Sequence, residues 1–305
     1  MSTLKNPSGL LNLNKPSGIS SRSALNHVTR LLRKVKVGHA GTLDPLASGV
    51  LVVCVGSATR LIESVQAMSK TYRVVIRLDA TSDTLDADGE VLPFPSPVIP
   101  DLGQIEQALA RQIGTIEQLP PAYSALKVNG VRAYSLARSG QTVVLNPRTV
   151  TIHQITILSF QWPRVELEIV CGGGTYIRSM ARDLGDSLGC GGLVEVLVRT
   201  GIGPFTLDSA IEPTDLTAAS LLSELRLSLE AVPDLPKIPL SMAQVAEVVL
   251  GKAVDISGLA LDLSSAGNVA LVDPLGELVA IGEVSPRGDR VQPRKVMITG
   301  ETGLV

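Results

Sequence analysis

The first 43 positions of this 305-residue chain contain no aspartate or glutamate, although Lys5, Lys15, Arg22, Arg30, Arg33, Lys34 and Lys36 all lie there. A second acid-free stretch runs between Glu117 and Glu166 and carries Lys127, Arg132, Arg138, Arg148 and Arg164. Residues 201–305 have the reverse balance, so a net charge of −2 conceals two basic regions that a polyanion could find. A solvated face with a chance run of one sign would read the same way. Aromatics are scarce too, with four tyrosines, three phenylalanines and one tryptophan. Tyr123 and Tyr134 fall inside the second acid-free stretch, where aromatics beside cations suit stacking on unpaired bases.

Other absences narrow the class. No apolar run approaches the roughly 18 residues of a spanning helix, and "MSTLKNPSGL" has no apolar leader core. A cytoplasmic protein with no membrane partner is therefore expected. Cys54, Cys171 and Cys190 are odd in number, far apart and without C-x-x-C spacing, which argues against disulfides and structural zinc. His27, His39 and His153 are too scattered for a metal cluster, and "DTLDADG" lacks the spacing and closing glutamate of a calcium loop. No Walker, nucleophile-elbow or dinucleotide fingerprint occurs, "CGGGTY" included. No metal and no cofactor are expected.

What is present reads as alternating strands and helices. "GLLNLNK" predicts a strand, and Ser20 or Ser21 the cap of a helix. Ala24, Leu25, Val28, Leu31 and Leu32 make its apolar stripe, opposite Arg22, Arg30, Arg33 and Lys34. "GVLVVCVG" predicts a buried strand, "SATRLIESVQAM" a helix and "KTYRVVIRLDA" a strand. After a turn-rich acidic loop, "DLGQIEQALARQIG" predicts a helix closed by Gly114. Residues 122–140 suit a binding loop with a short basic, tyrosine-bearing helix. Strands follow at about 142–160 and 164–171, then a helix over "TYIRSMARDLGDSLG" and a strand over "LVEVLVRTGIGPF". Three prolines in "EAVPDLPKIPLS" suggest an interdomain linker before a β-rich tail.

Two residues stand out chemically. In "GTLDPLASG", Pro45 disfavours the α region at Asp44, and flanking glycines permit a tight loop that projects the carboxylate beside an apolar strand. Burial would raise its pKa unless a cation lay close; an aspartate before proline is equally an ordinary turn former. Arg178 sits in the first turn of its helix, where the macrodipole disfavours a cation. It is either a surface arginine or the mate of a distant loop carboxylate such as Asp44.

The blocks "LNLNKPSGISS", "GHAGTLDPLASGVL", "KTYRV", "DTLDADG", "PPAYSALKVNGVRAYSLAR" and "GTYIRSMARDLG", in that order over about residues 9–205, resemble the bacterial tRNA pseudouridine-55 synthases of the TruB family. The resemblance implies an α+β pseudouridine-synthase fold: a mixed, mainly antiparallel sheet flanked by helices and loops, with a small C-terminal β-rich PUA-like domain. It implies a catalytic domain at 1–232, with 122–140 as a tRNA-binding insertion, and an RNA-binding domain at 238–305. The implied activity isomerises a flipped-out uridine of the TΨC loop in tRNA to pseudouridine, without metal, cofactor or guide RNA, in a monomer. Asp44 is implied as the catalytic carboxylate, Arg178 as its partner, and Tyr72 as the residue stacking on the base. His39, Tyr176, Leu197, Asp86 and Lys15 are implied around the substrate. Arg22, Arg30, Arg33, Lys34, Lys127 and Arg132 are the candidates for the RNA backbone. Attack at C1′, attack at C6 and assisted loss of the 2′ proton all fit such a carboxylate. Ala40 stands where the family usually has a small hydroxyl residue, so one hydrogen bond near Asp44 is expected to be missing. A tRNA-folding chaperone with secondary catalysis and a guide-RNA-dependent synthase are the competing readings.

Overall fold

The computed structural model describes residues 7–124, 127–128, 131–132, 145–258 and 267–297. The leucine-rich stretch near the N-terminus forms β1 (Gly9–Lys15), and the valine-rich stretches after it form β2 (Val37–His39) and β3 (Ser48–Val55). Helix α1 (Ser21–Leu31) lies between β1 and β2, and the Ser20 hydroxyl accepts the Ser23 N–H at 3.0 Å as its cap. It ends before Arg33 and Lys34, which lie in the turn beyond it rather than on its polar face. Ala24, Leu25 and Val28 are buried against β1 and β3 with Leu11, Leu13 and Leu51, as the stripe predicts.

The segment after β3 divides. Gly56–Leu61 forms a 3-10 turn, and only Ile62–Ala67 is α-helical (α2). Then come β4 (Lys70–Arg77), the short pair β5 (Ala80–Ser82) and β6 (Val91–Pro93), helix α3 (Leu102–Ala110) and β7 (Gly114–Gln118). Asp101 and Gln104 cap α3 reciprocally. The helix ends before Gly114, whose φ of +102° begins β7 instead of closing the helix. The backbone of β8 (Lys127–Val128) pairs with β9 (Val131–Arg132). The side chains of Lys127 and Arg132, and the basic helix expected after them, lie outside the described residues. A long hairpin of β10 (Arg148–Gln161) and β11 (Arg164–Cys171) leads to helix α4 (Ile177–Leu188), β12 (Leu193–Ile202) and β13 (Phe205–Thr206).

These strands build one nine-stranded sheet in the order β1-β3-β12-β4-β11-β10-β7, with β2 on β3 and β13 on β12. Only β3 and β12 run parallel within it. One face packs on α3 and α4 through Val74, Ile76, Val165, Leu167, Ile169, Met180 and Leu184. Alternation along β4 therefore sends Lys70, Tyr72, Val74 and Ile76 inward and Arg73 to solvent.

A second sheet, β14-β16-β17-β18-β15, is formed by β14 (Lys237–Pro239), β15 (Val254–Asp255), β16 (Asn268–Val272), β17 (Leu278–Val284) and β18 (Arg290–Val296), with helix α5 (Met242–Val249) against it. The proline-rich segment is not wholly a linker, because its end is β14, paired parallel to β16. Nor is the tail separate in its packing. Ala270, Val272, Leu278, Ile281 and Met297 join Leu10, Val50, Val52, Cys54 and Phe205 in one apolar cluster.

Candidate active site

The turn that carries Asp44 is fixed from below by β1 and α1. Ser21 Oγ donates to the Leu43 carbonyl at 2.9 Å and accepts the Leu43 N–H at 2.8 Å. The Gly18 N–H donates to Pro45 O at 2.8 Å, and Ser17 Oγ donates to Leu46 O at 2.8 Å. Lys15 is fully buried, its ammonium donating to the carbonyls of Ile19 (2.7 Å), Pro16 (2.9 Å) and Pro45 (3.4 Å). Burial brings its pKa down to about 8, against an opposing pull from Asp44. Gly49 follows at φ +101°, where a Cβ would sit 2.2 Å from the Arg199 carbonyl, so only glycine lets β3 reach β12 there.

Lys15 is not among the residues that line the cavity; its ammonium holds the backbone of the turn beside Asp44. Lys15→Met leaves three carbonyls without their donor and should lower the melting temperature by several degrees, roughly 1–3 kcal/mol. Turnover should fall with it as the Asp44 turn loosens; thermal melting and a rate measurement on the same preparation check both.

Arg178 is not a surface arginine: its side chain is 7% exposed. Its guanidinium fork spans four acceptors. Nη2 lies 2.9 Å from Asp44 Oδ2 and donates to Tyr123 O at 2.8 Å; Nη1 lies 3.3 Å from Asp86 Oδ2 and donates to Thr84 O at 2.7 Å. The unfavourable first-turn position is thus offset by two carboxylates from distant loops. Asp86 belongs to the acidic loop yet its side chain is only 5% exposed; Thr84 Oγ1 donates to it at 2.6 Å and the Asp88 N–H at 3.2 Å. Burial pushes its pKa up, while Thr84 and Arg178 hold it back. The Asp44 side chain is 39% exposed, so of the two carboxylates on Arg178 it is the one a substrate can touch.

Asp44, Arg178, Tyr72, Tyr176 and Leu197 come together around one cavity of about 570 Å³. Tyr176 is positioned by an amide clasp: its N–H donates to Gln118 Oε1 at 2.8 Å, and Gln118 Nε2 donates to its carbonyl at 3.0 Å. Tyr72 is buried, which raises its phenol pKa. His39 is off this lining, on β2, with its Nδ1 buried and without a partner among the described residues. Its pKa is lowered first by burial, then by Arg199 and Arg22. Ala40 is fully buried within an apolar cluster, and its N–H donates to Val52 O at 2.9 Å. Arg22, Arg30, Arg33 and Lys34 are exposed, and Lys34 adopts φ +70° in the turn after α1.

Among the described residues four charged ones line the cavity, and two of these, Lys70 and Arg199, have no role assigned from the sequence. Both could have been found by strand period, since Lys70 precedes Tyr72 by two residues and Arg199 follows Leu197 by two, each on the same face as its neighbour. Among the described residues, no group of three or more His, Cys, Asp or Glu side chains is placed to hold a metal ion, and no helix is long and apolar enough to cross a membrane.

A mixed sheet with an ion-paired loop carboxylate at its cavity, followed by a β-rich C-terminal unit, belongs to a chain that family models of pseudouridylate synthases match over most of its length. The solved crystal structure of a Cbf5–Nop10–Gar1 complex contains a chain with this fold, at TM-score 0.74 and 26% identity over 96% of this chain and 86% of that one. An H/ACA ribonucleoprotein bound to a substrate RNA containing 2′-deoxyuridine contains another, at TM-score 0.71 and 25% identity over 95% of this chain and 85% of that one. The family model for the N-terminal domain of the TruB pseudouridylate synthases matches residues 29–177, and that for the C-terminal domain of tRNA pseudouridylate synthase B matches 178–232. The chain belongs to the TruB family. The tRNA pseudouridine synthase B of Burkholderia mallei is 39% identical over 96% of this chain and 97% of its own length. That of Dehalococcoides mccartyi is 43% identical over 80% of this chain and 82% of its own length.

Proposed function

We propose that this chain isomerises a flipped-out uridine in the TΨC loop of tRNA, position 55, to pseudouridine, with Asp44 as the catalytic carboxylate. It is a tRNA pseudouridine synthase, an isomerase of the TruB family. The observation that carries the assignment of Asp44 is its geometry: a part-exposed carboxylate in a clamped turn that lines the cavity, held at 2.9 Å by a buried guanidinium. Breaking the glycosidic bond, turning the base and joining C5 to C1′ changes no oxidation state overall, so the step calls for a carboxylate at the sugar or base and not for a redox partner. The ion pair to a guanidinium fixed by its other acceptors keeps that carboxylate aimed.

Tyr72, Tyr176 and Leu197 supply the walls on which a uracil ring stacks. Extruding the nucleotide costs a few kcal/mol, which backbone contacts must offset. Arg22, Arg30, Arg33 and Lys34 are the cations proposed for them, joined by Lys127 and Arg132 from the 122–140 segment. His39, within the electrostatic reach of Arg22, is proposed to help hold the opened loop. The division into a catalytic domain at 1–232 and a PUA-like domain at 238–305 belongs to the same reading, as do a monomeric, guide-independent enzyme and a cytoplasmic location.

The test is tritium release from a [5-³H]uridine-labelled tRNA transcript by the pure protein, without added metal or guide RNA. Release of one tritium per tRNA is expected, with binding that weakens steeply as salt rises. Binding without release would leave a tRNA-folding chaperone, and a flat salt response would remove the proposed backbone contacts.

A further inference from the structure

The floor of the cavity carries charge that the Asp44–Arg178 pair does not explain. Lys70 lies on β4 two residues before Tyr72, and Arg199 stands opposite Tyr72 on β12, so the three share one face of the sheet. Lys70 and Arg199 are 6% and 2% exposed, and both line the cavity. Arg199 is occupied with structure: Nε donates to Val50 O at 2.8 Å and Nη2 to Gly41 O at 3.1 Å, which ties the strand to the Asp44 turn. Lys70 is different. Its ammonium donates to the carbonyls of Gln66 and Met68, two of its three protons, and no third acceptor or carboxylate partner stands among the described residues.

Burying an ammonium beside a second cation and without a carboxylate is costly, and an aliphatic side chain would fill the same space without that cost. The ammonium's surroundings also restrict what can stand beside it at the cavity wall. A Cβ at Gly173 would collide with the Gln66 carbonyl at 2.5 Å, one of the two acceptors of Lys70, and would stand in contact with Lys70 Nζ at 3.5 Å. A buried donor facing an open cavity is the arrangement that stabilises charge appearing only during a reaction.

We propose that Lys70 is a further electrostatic group of the reaction, its ammonium holding the negative charge that the uracil carries while it is detached from C1′. The inference rests on the pseudouridine-synthase reading above. When the C1′–N1 bond breaks, its electron pair stays on the base and spreads over N1, O2 and O4. Lys70 donates a hydrogen bond to this anion and keeps its proton. The charge cancels as C5 bonds to C1′; the C5 proton then leaves for solvent and N1 takes one up.

The pH dependence gives this a signature that packing alone would not produce. The groups facing Lys70 are Arg199 from β12, Tyr72 from its own strand, Cys171 opposite it on β11, and the carbonyls at the end of α2. Burial first, then Arg199, brings its pKa down to about 8, with Cys171 opposing. The active ammonium is therefore present below about pH 8 and lost above it.

The experiment is single-turnover tritium release at subsaturating protein, from pH 6 to 10, for wild type, Lys70→Arg and Lys70→Met, with tRNA affinity measured in parallel. The wild-type rate is expected to fall as pH rises through about 8. The arginine variant, charged throughout, should not show that fall relative to wild type. The methionine variant should be slower by about 10²-fold with affinity within about twofold. Equal pH profiles for wild type and Lys70→Arg would overturn the proposal even if Lys70→Met fails to fold. So would a methionine variant with normal rate, or one that loses affinity but not rate, which marks a phosphate contact. Absence of release from wild type itself would instead sink the functional reading on which the proposal stands.

Discussion

Asp44→Ala is expected to reduce tritium release from labelled tRNA by on the order of 10⁴-fold or more, with tRNA affinity within about twofold of wild type. The size follows from chemistry. No other carboxylate can take over, because Asp86, the nearest alternative on the same guanidinium, is 5% exposed and fastened by Thr84 and the Asp88 N–H. The affinity should survive because backbone contacts, not the reacting atoms, supply most of it. The fold should survive too, since Arg178 keeps Asp86 and the Thr84 and Tyr123 carbonyls when Asp44 is truncated. The turn itself hangs on Ser21, Gly18 and Lys15 contacts to backbone atoms, none of which involves the Asp44 side chain. Asp44→Asn separates charge from shape: it fills the same volume but cannot carry the negative charge, and it should be nearly as slow as the alanine variant. An asparagine variant within tenfold of wild type would mean that Asp44 only positions the substrate.

Much of this site was legible in local sequence, and the part that was not has a common physical cause. The Asp44 turn was visible because its determinants are local: Pro45, the flanking glycines and the apolar strand that follows. The α1 stripe was visible for the same reason: Ala24, Leu25, Val28 and Leu32 are buried where the period placed them, and Leu31 packs half-buried at their edge. Helix length was less legible. Gly114 reads as a stop, but the chain leaves α3 earlier and uses that glycine's positive φ to enter β7. Arg178 shows the limit most clearly. Helical phase turns it away from the apolar stripe, which reads as exposure, yet the loops of Thr84, Asp86 and Tyr123 fold over that side and bury it. Its misfit with the helix dipole was the one local hint of those partners. For Lys70 and Arg199 the local hint is weaker: strand period puts them on the faces of Tyr72 and Leu197, but a cation on a strand looks solvated until the neighbouring strands are known. Lys15 was legible as important but not in its task, because a lysine bonding backbone carbonyls leaves no acidic partner to find in the sequence.

Arg178→Met should lower turnover by about 10²–10³-fold, again with little loss of tRNA affinity, and in this case with a clear loss of stability. The two effects have different origins on the same guanidinium. Turnover falls because Asp44 loses the 2.9 Å contact that aims it. Stability falls because the other half of the fork leaves behind a buried carboxylate, Asp86, and the unpaired carbonyls of Thr84 and Tyr123. Removing one partner of a buried pair costs roughly 3–5 kcal/mol. The pH dependence of that loss can be stated in sign. Burial already raises the Asp86 pKa, and Arg178 works against it, so without the guanidinium the carboxyl should hold its proton to still higher pH. The folded variant then binds a proton that its unfolded chain has released. Its stability should be best in acid and decline as pH rises from the ordinary carboxylate range toward the raised folded value. Arg178→Lys restores charge but not the planar fork that reaches Asp44, Asp86 and two carbonyls at once, so it should recover part of the stability and little of the rate. Denaturant melts at pH 5 and 8 and single-turnover rates on both variants measure the two halves separately. A methionine variant with near-normal rate would remove Arg178 from the aiming of Asp44, and one whose stability does not depend on pH would show that Asp86 has found another way to shed its charge.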